Sequence, residues 1–346
     1  MRCVELGAHW AVKEEGLGVA SFAIIGAGIS GLACGNAVAA AGHQVALFDK
    51  GRGPGGRMST RRIDTPLGQA FFDHGAQFFT ERDPDFQKAI SALEAQGAVG
   101  LWRGQFVRVD GQGQQHAQGD EPRYVGTPGM NGIVRGLAVD LNPAWAMRVS
   151  ALSGQKGAWQ LHFETGETLG PFDQIICAVP AEQVSDLLAA HTPAIAQQAK
   201  AINSLPCWTG LFAFETPLAL DWDMARFEAH RVLDVISASV NKPGRTGPAT
   251  YVVQGRADWS IAHLEESADE IATTLFQALA EVCGPLPTPL VQSAHRWRYA
   301  RVETSHGPGH LYDGDQGIGA CGDWLSGPRV ESAWLSGHHL GRHLSA

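Results

Sequence analysis

Gly26-Ala27-Gly28-Ile29-Ser30-Gly31, directly behind an apolar run at residues 22–25, is the strongest chemical signal in the chain. Glycines at this spacing let a strand turn tightly, admit a pyrophosphate to backbone amides at a helix start, and bring that helix against the sheet. Gly26, Gly28 and Gly31 suit those three roles in order, and Ser30 stands among the residues of the helix start. A second apolar run, residues 45–48, ends in Asp49. A carboxylate about 20 residues beyond the glycines is placed to accept hydrogen bonds from an adenosine ribose. Strand, turn, helix, strand and acidic terminus together predict adenine-dinucleotide binding, where a lone glycine motif would say little.

These residues need an open α/β scaffold. Residues 22–25 read as a buried first strand, 29–41 as an Ala- and Gly-rich helix, and 45–48 as the next strand. Asp83 and Pro84 start a further helix, with Phe86, Ala89, Ile90 and Leu93 at helical spacing. Residues 147–152, 159–163 and 174–179 read as strands of a small meander beside the parallel sheet, and Pro180 opens an Ala-rich helical segment. Strand-like runs fill 208–254, and helical spacing returns at Ile271, Leu275, Phe276, Leu279 and Val282. The polar stretch 110–116 reads as a surface turn, with a substrate-gating loop as its alternative. The expected division assigns 20–80, 126–180 and 290–346 to the nucleotide domain and 81–125 and 181–289 to a substrate domain. Residues 1–19 read as a peripheral extension, or as an upstream stretch from a wrong start assignment.

Composition narrows the function. A chain of 346 residues, 44% hydrophobic, is long enough for two cored domains. Its formal charge of −9 disfavours a nonspecific nucleic-acid binder. No apolar run reaches the roughly 18 residues of a membrane span. Cys3, Cys34, Cys177, Cys207, Cys283 and Cys321 are scattered without metal-ligand spacing, which points to reduced thiols, no metal and a cytoplasmic setting. Oligomeric state is not legible.

Further motifs sharpen the cofactor. Gly51-Arg52-Gly53-Pro54-Gly55-Gly56-Arg57-Met58-Ser59 resembles the pyrophosphate-binding segment of FAD-dependent amine oxidases and, more closely, of renalase-like flavoproteins. Phe72-Asp73-His74-Gly75-Ala76-Gln77-Phe78-Phe79, Gly126-Thr127-Pro128-Gly129-Met130-Asn131, Gly322-Asp323-Trp324 and residues 327–333 extend the resemblance over about 21–341. It implies a Rossmann-like FAD-binding domain with an interwoven mixed α+β substrate domain, as in amine oxidases and p-hydroxybenzoate hydroxylase. It also implies noncovalent FAD in preference to a dissociable nicotinamide cofactor. Gly26, Gly28, Ser30, Gly31, Asp49, Lys50, Gly55, Gly56, Arg57 and Met58 would then serve the adenosine and pyrophosphate. Gly75, Ala76 and Gln77 would lie along the isoalloxazine edge and Val149 near the adenine. Gly322, Asp323, Arg329, Val330 and Ala333 would follow the ribityl chain to the flavin pyrimidine. Arg57 has its own physical case, because a guanidinium gives phosphate several directed hydrogen bonds. The plain alternatives are an exposed Arg57 bracing its own loop and an Asp323 that caps a helix.

The renalase-like resemblance implies oxidation of 2- or 6-dihydro isomers of NAD(P)H, with hydride passing to flavin N5 and oxygen reduced to hydrogen peroxide. Abnormal dihydronicotinamide dinucleotides and oxygen are then the partners, and no protein nucleophile is required. His295-Arg296-Trp297-Arg298-Tyr299, if extended, puts His295, Trp297 and Tyr299 on one face as a wall for a flat ring. A core-facing aromatic strand is the alternative, with Arg296 and Arg298 either on substrate phosphate or solvated. His74, Gln77 and Trp324 complete the pocket candidates, and no single catalytic side chain is assigned. Amine oxidases commonly hold a lysine near flavin N5. Neither Lys50 nor Lys242 lies in a matching motif, which weighs against ordinary amine oxidation. A small-amine oxidase and a noncatalytic flavin-binding protein are the competing accounts.

Overall fold

The structure, a computed structural model, describes residues 18–303, 305 and 307–346. The expectation for residues 1–19 therefore lies almost wholly outside the described residues. The first strand, Ser21–Ile25, pairs in parallel with Gln44–Asp49 on one side and Gln174–Cys177 on the other. Ile318–Cys321, His310–Asp313 and the short Ala144–Trp145 complete a six-stranded sheet, in which only His310–Asp313 runs antiparallel to its neighbour. Helix Ile29–Ala40 packs closely on the terminal helix Val330–Leu344. Glycines permit that contact: a Cβ on Gly337 would lie 1.9 Å from the Ser30 carbonyl oxygen, and one on Gly341 2.7 Å from that of Cys34. The opposite face is covered by the antiparallel meander Val149–Ser153, Trp159–Phe163 and Thr168–Phe172. Gln174–Cys177 is thus not the third meander strand expected from sequence. Its residues Ile175, Ile176 and Cys177 are fully buried, which suits an inner parallel strand covered on both faces.

A seven-stranded sheet forms the second body, in the order Val291–Val302, Ser204–Phe214, Ala249–Gly255, Leu233–Ala238, Met224–Phe227, Phe106–Val109, Gln115–Ala117. Helix Ala268–Cys283 packs Ile271, Leu275 and Leu279 against it, with Ser267 and Glu270 forming a reciprocal cap. Asp83 caps Pro84–Ala95 through the amides of Asp85 and Phe86, as its sequence predicts. Residues 110–114 form an exposed hairpin turn on this sheet. Three boundaries move, the first because helix Pro84–Ala95 buries Phe86, Ile90 and Leu93 in the core of Leu32, Leu47 and Trp334, so the substrate domain does not open at 81. Val291–Val302 belongs to the seven-stranded sheet, so the chain returns to the nucleotide body only after Val302 and not at 290. Helices Ala181–Leu188 and Pro193–Lys200 bury Val184, Leu188 and Ile195 in the same core as the six-stranded sheet, which brings the third boundary to about residue 203.

Candidate active site

A cleft of about 980 Å³ runs from the glycine turn, between the two bodies, to the strand Val291–Val302. Gly26 turns the chain with φ +104°, and a Cβ there would meet the Ala178 carbonyl oxygen at 2.5 Å. At Gly31 a Cβ would strike the Gly26 carbonyl oxygen at 1.9 Å, so this glycine brings helix to turn. Gly28 differs. It caps the helix in extended conformation and a Cβ would meet nothing within 4 Å, so the space before the helix amides is open. The buried Ser30 hydroxyl, beside those amides, has no partner among the described residues. Asp49 accepts from Ala27 N at 2.8 Å and Gly51 N at 2.6 Å, one bond to each carboxylate oxygen, which leaves lone pairs for a further donor. An open turn, an orphaned hydroxyl and a poised carboxylate fit an adenine dinucleotide.

The second glycine segment folds over this entrance. Ala76 N donates to the Arg57 carbonyl at 2.9 Å, and a Cβ on Gly75 would lie 2.0 Å from that oxygen, so residues 57 and 75 are in direct backbone contact. Arg57 gives two parallel hydrogen bonds of 2.7 Å to Asp323, joining the N-terminal segment to the C-terminal one. Local sequence pattern does not reveal this pairing, because its partners stand 266 residues apart. The Asp323 carboxylate holds the Arg57 pKa up against its burial. The terminal helix starts beside the pair and presents Val330 and Ala333 to the cleft.

At the far end, Trp297 stacks on His74 at 5.1 Å and 26°, and donates from Nε1 to the His74 carbonyl at 2.8 Å. His295 stands edge-on to both rings, 4.7 Å from His74 and 4.6 Å from Trp297. Gln254 also donates to the Gly75 carbonyl at 2.8 Å, so the seven-stranded sheet holds the Gly75 segment in place. Burial, then His295, pushes the His74 pKa down to about 4; burial and Arg61 lower that of His295. Both imidazoles are therefore neutral hydrogen-bonding groups near pH 7.

Every cofactor candidate lines the cleft except Gly31 and Gln77; of the pocket candidates His295, Trp297 and Tyr299 line it, and His74, Gln77 and Trp324 do not. Trp324 is a correction: its ring is 1% exposed in the core behind the sheet, packed where a Cβ on Gly322 would stand. His74 lies behind Trp297, stacked on its ring and bonded to it through its own carbonyl. Gln77 turns inward, donating to the Gly75 carbonyl at 3.0 Å and accepting from Lys242 at 3.3 Å. Arg296 and Arg298 border the cleft and share Glu265 as their carboxylate partner.

Sequence reasoning missed a buried ionic cluster beneath this wall. Asp73 accepts from Arg245 at 2.5 Å, Lys242 at 3.4 Å, Thr60 at 2.7 Å and Met130 N at 2.8 Å. Lys242 also sits 4.8 Å over the Trp102 ring. Despite burial, the two cations hold the Asp73 pKa down at about 2, while burial brings Lys242 down to about 8. Lys242, set aside for want of a motif, thus packs against the segment that begins the cleft wall, although neither it nor Gln77 reaches the lining. The only local signal was a pair of cations between apolar strands; their partner is 169 residues away for Lys242.

Comparison with known proteins follows this geometry. Residues 24–93 match the NAD(P)-binding Rossmann-like domain, and residues 104–339 match flavin containing amine oxidoreductase. The chain belongs to the flavin containing amine oxidoreductases. Cyclohexylamine oxidase from Brevibacterium oxydans superposes with a TM-score of 0.74 at 12% identity, covering 94% of this chain and 99% of that one. Putrescine oxidase bound to putrescine gives 0.67 at 15%, covering 94% and 98%, and an oxidoreductase from Methanosarcina mazei gives 0.68 at 15%, covering 92% and 99%. At these identities the likeness is one of fold: an FAD-binding Rossmann-like region with a mixed α+β domain, the architecture of a catalytic FAD-dependent oxidoreductase. No helix among the described residues is long and apolar enough to cross a membrane.

Proposed function

We propose that this family member is an oxidase with noncovalent FAD that removes a hydride from a carbon bonded to nitrogen, with a small amine as the substrate class. The amine reading draws on the family and on the putrescine and cyclohexylamine oxidases that share the fold. The observation that carries the site assignment is the continuity of one cleft, from the open Gly28 turn to the His295–Trp297 wall. Bound FAD would supply the two-electron acceptor for the hydride, with oxygen as the final acceptor and hydrogen peroxide as the product. In this account the helix amides behind Gly28, with Ser30, hold the pyrophosphate, and Asp49 holds the ribose. Arg57 and Asp323 position each other along the chain between them, and Gly75 and Ala76 border the reactive ring. Trp297 forms the wall that orients substrate, supported by His74 and flanked by His295 as a neutral hydrogen-bonding group. Asp73 and Lys242 brace that wall from below.

The second reading, oxidation of 2- or 6-dihydronicotinamide dinucleotides, has its own support. The wall is flat and aromatic and its imidazoles are neutral, surroundings that suit a planar nicotinamide ring. The two readings share the same C–H chemistry and differ in what surrounds the nitrogen. Peroxide formation by the FAD-loaded protein, assayed with putrescine, cyclohexylamine and both dihydronicotinamide isomers, separates them. Peroxide from amines alone supports the first reading, and peroxide from the isomers alone replaces it with the second.

A further inference from the structure

The wall of the cleft stands in register across three strands. His295 pairs with Thr209, and Thr209 pairs with Gln254 on its other side. Residues paired in this way project from the same face of a sheet, so His295, Thr209 and Gln254 form one row and Trp297 with Cys207 forms the next. That face looks toward the nucleotide body: along Ala249–Gly255, Thr250 donates to the Phe71 carbonyl at 2.8 Å and Val252 packs with Ala70 and Phe72. Tyr251 and Val253, one residue out of phase, pack with Ile271 and Leu275 on the opposite face. Thr209 is fully buried in the middle of the row, whereas His295 and Gln254 on either side of it line the cleft.

The amide of Gln254 has one orientation open to it. The Gly75 carbonyl can only accept, so the Gln254 nitrogen, 2.8 Å away, faces it and the side-chain oxygen turns aside. That oxygen has no hydrogen-bond partner among the described residues and is not buried, which leaves an acceptor open to the cleft that the residue lines. Gly75 also accepts from Gln77 at 3.0 Å, so its segment keeps a hold that does not depend on Gln254.

We propose that Gln254 is the amine-recognition residue, its side-chain oxygen accepting a hydrogen bond from the substrate nitrogen while the apolar part of the substrate lies against Trp297. The inference rests on the small-amine reading above and deepens it by naming the group that receives the nitrogen. Because the same amide is tied to Gly75, a nitrogen held there keeps its attached carbon beside the Gly75–Ala76 border of the cleft. An acceptor oriented in advance needs no ordering when the ligand arrives.

The test uses FAD-loaded protein and two flat probes of similar size, aniline and toluene, neither of which carries hydrogen on a carbon bonded to nitrogen. Aniline offers N–H donors and toluene none. Binding is followed by flavin absorbance and titration calorimetry, and the readout is the ratio of aniline to toluene affinity. Gln254→Met should lower that ratio about fivefold, as expected for one net hydrogen bond, with FAD still bound. Gln254→Glu keeps an acceptor oxygen and should retain most of the ratio. Gln77→Met removes the other Gly75 donor and should leave the ratio at the parental value. A ratio unchanged by Gln254→Met, an equal fall in Gln77→Met or Gln254→Glu, loss of FAD from Gln254→Met, or no response to either probe overturns the proposal. The expected Gln254 pattern without peroxide from any amine would sink only the functional reading, whereas peroxide from amines with a ratio indifferent to Gln254 would sink this inference alone.

Discussion

At the residue scale, two buried groups both lose stability on acidification, in successive pH windows. An unfolded imidazole binds a proton below about pH 6.5, whereas folded His74 does so only near 4. Between those values the unfolded chain holds the extra proton, so stability is fully present above pH 6.5 and falls on acidification toward 4. The loss is about 3 kcal/mol. His74→Gln should flatten that limb of a urea-unfolding profile, and an unchanged slope would place the acid sensitivity elsewhere. Asp73, with its depressed pKa, contributes stability above about pH 4 that is lost as pH falls through about 2. Asp73→Asn leaves Lys242 and Arg245 buried without an anion, at a cost of about 3–5 kcal/mol. Lys242→Met leaves the Arg245–Asp73 pair intact and should stay within about 1 kcal/mol of the parent. Equal losses in the two variants would show that the lysine, not charge balance, holds the cluster.

At the element scale, the first helix answers to two steric demands that single glycines separate. Gly28 faces open cleft, so Gly28→Ala should melt with the parent protein while losing FAD on gel filtration, because its methyl fills the approach to the helix amides. Gly337 lies against the Ser30 carbonyl, so Gly337→Ala must push the terminal helix away, a cost of about 1–3 kcal/mol visible as a lower melting temperature. A Gly28 variant that keeps its FAD, or a Gly337 variant that melts normally, would contradict the assignment concerned. These local elements were the legible part of the fold. Strand, glycine turn, helix and acidic strand end are written within residues 21–49, and Asp83-Pro84 announces its helix by capping chemistry alone. The third meander strand was not legible, because Thr168–Phe172 contains Gly170 and Pro171 and has no apolar alternation.

At the scale of the whole molecule, the cleft draws its lining from within residues 25–30, 48–58, 75–76, 147–150, 178–187, 205–207, 254–257, 295–301 and 322–333, in both bodies. Local motifs marked most of these stretches, but not the pairings between them. Arg57 with Asp323 spans 266 residues, and Lys242 with Asp73 spans 169, distances over which periodicity and turn chemistry carry no information. The same pocket that looked like an alternating strand in sequence is bent by a bulge at Pro206, whose effect depends on the neighbouring strand. Because bound FAD would occupy a cleft lined by both bodies, loading should raise the melting point of the whole chain in one transition. At a free concentration 100 times Kd the stabilisation is about 2.7 kcal/mol. Two transitions, only one of them FAD-dependent, would mean that the bodies bind and unfold separately.

The most direct measurement is anaerobic: the absorbance of the FAD-loaded protein is followed as small amines and the 2- and 6-dihydronicotinamide dinucleotides are added in turn, and oxygen is then admitted. The account predicts bleaching by at least one of these compounds, two electrons per FAD, with colour and stoichiometric peroxide returning with oxygen. Tightly held FAD that none of them bleaches would contradict the claim that this cleft oxidises a carbon bonded to nitrogen.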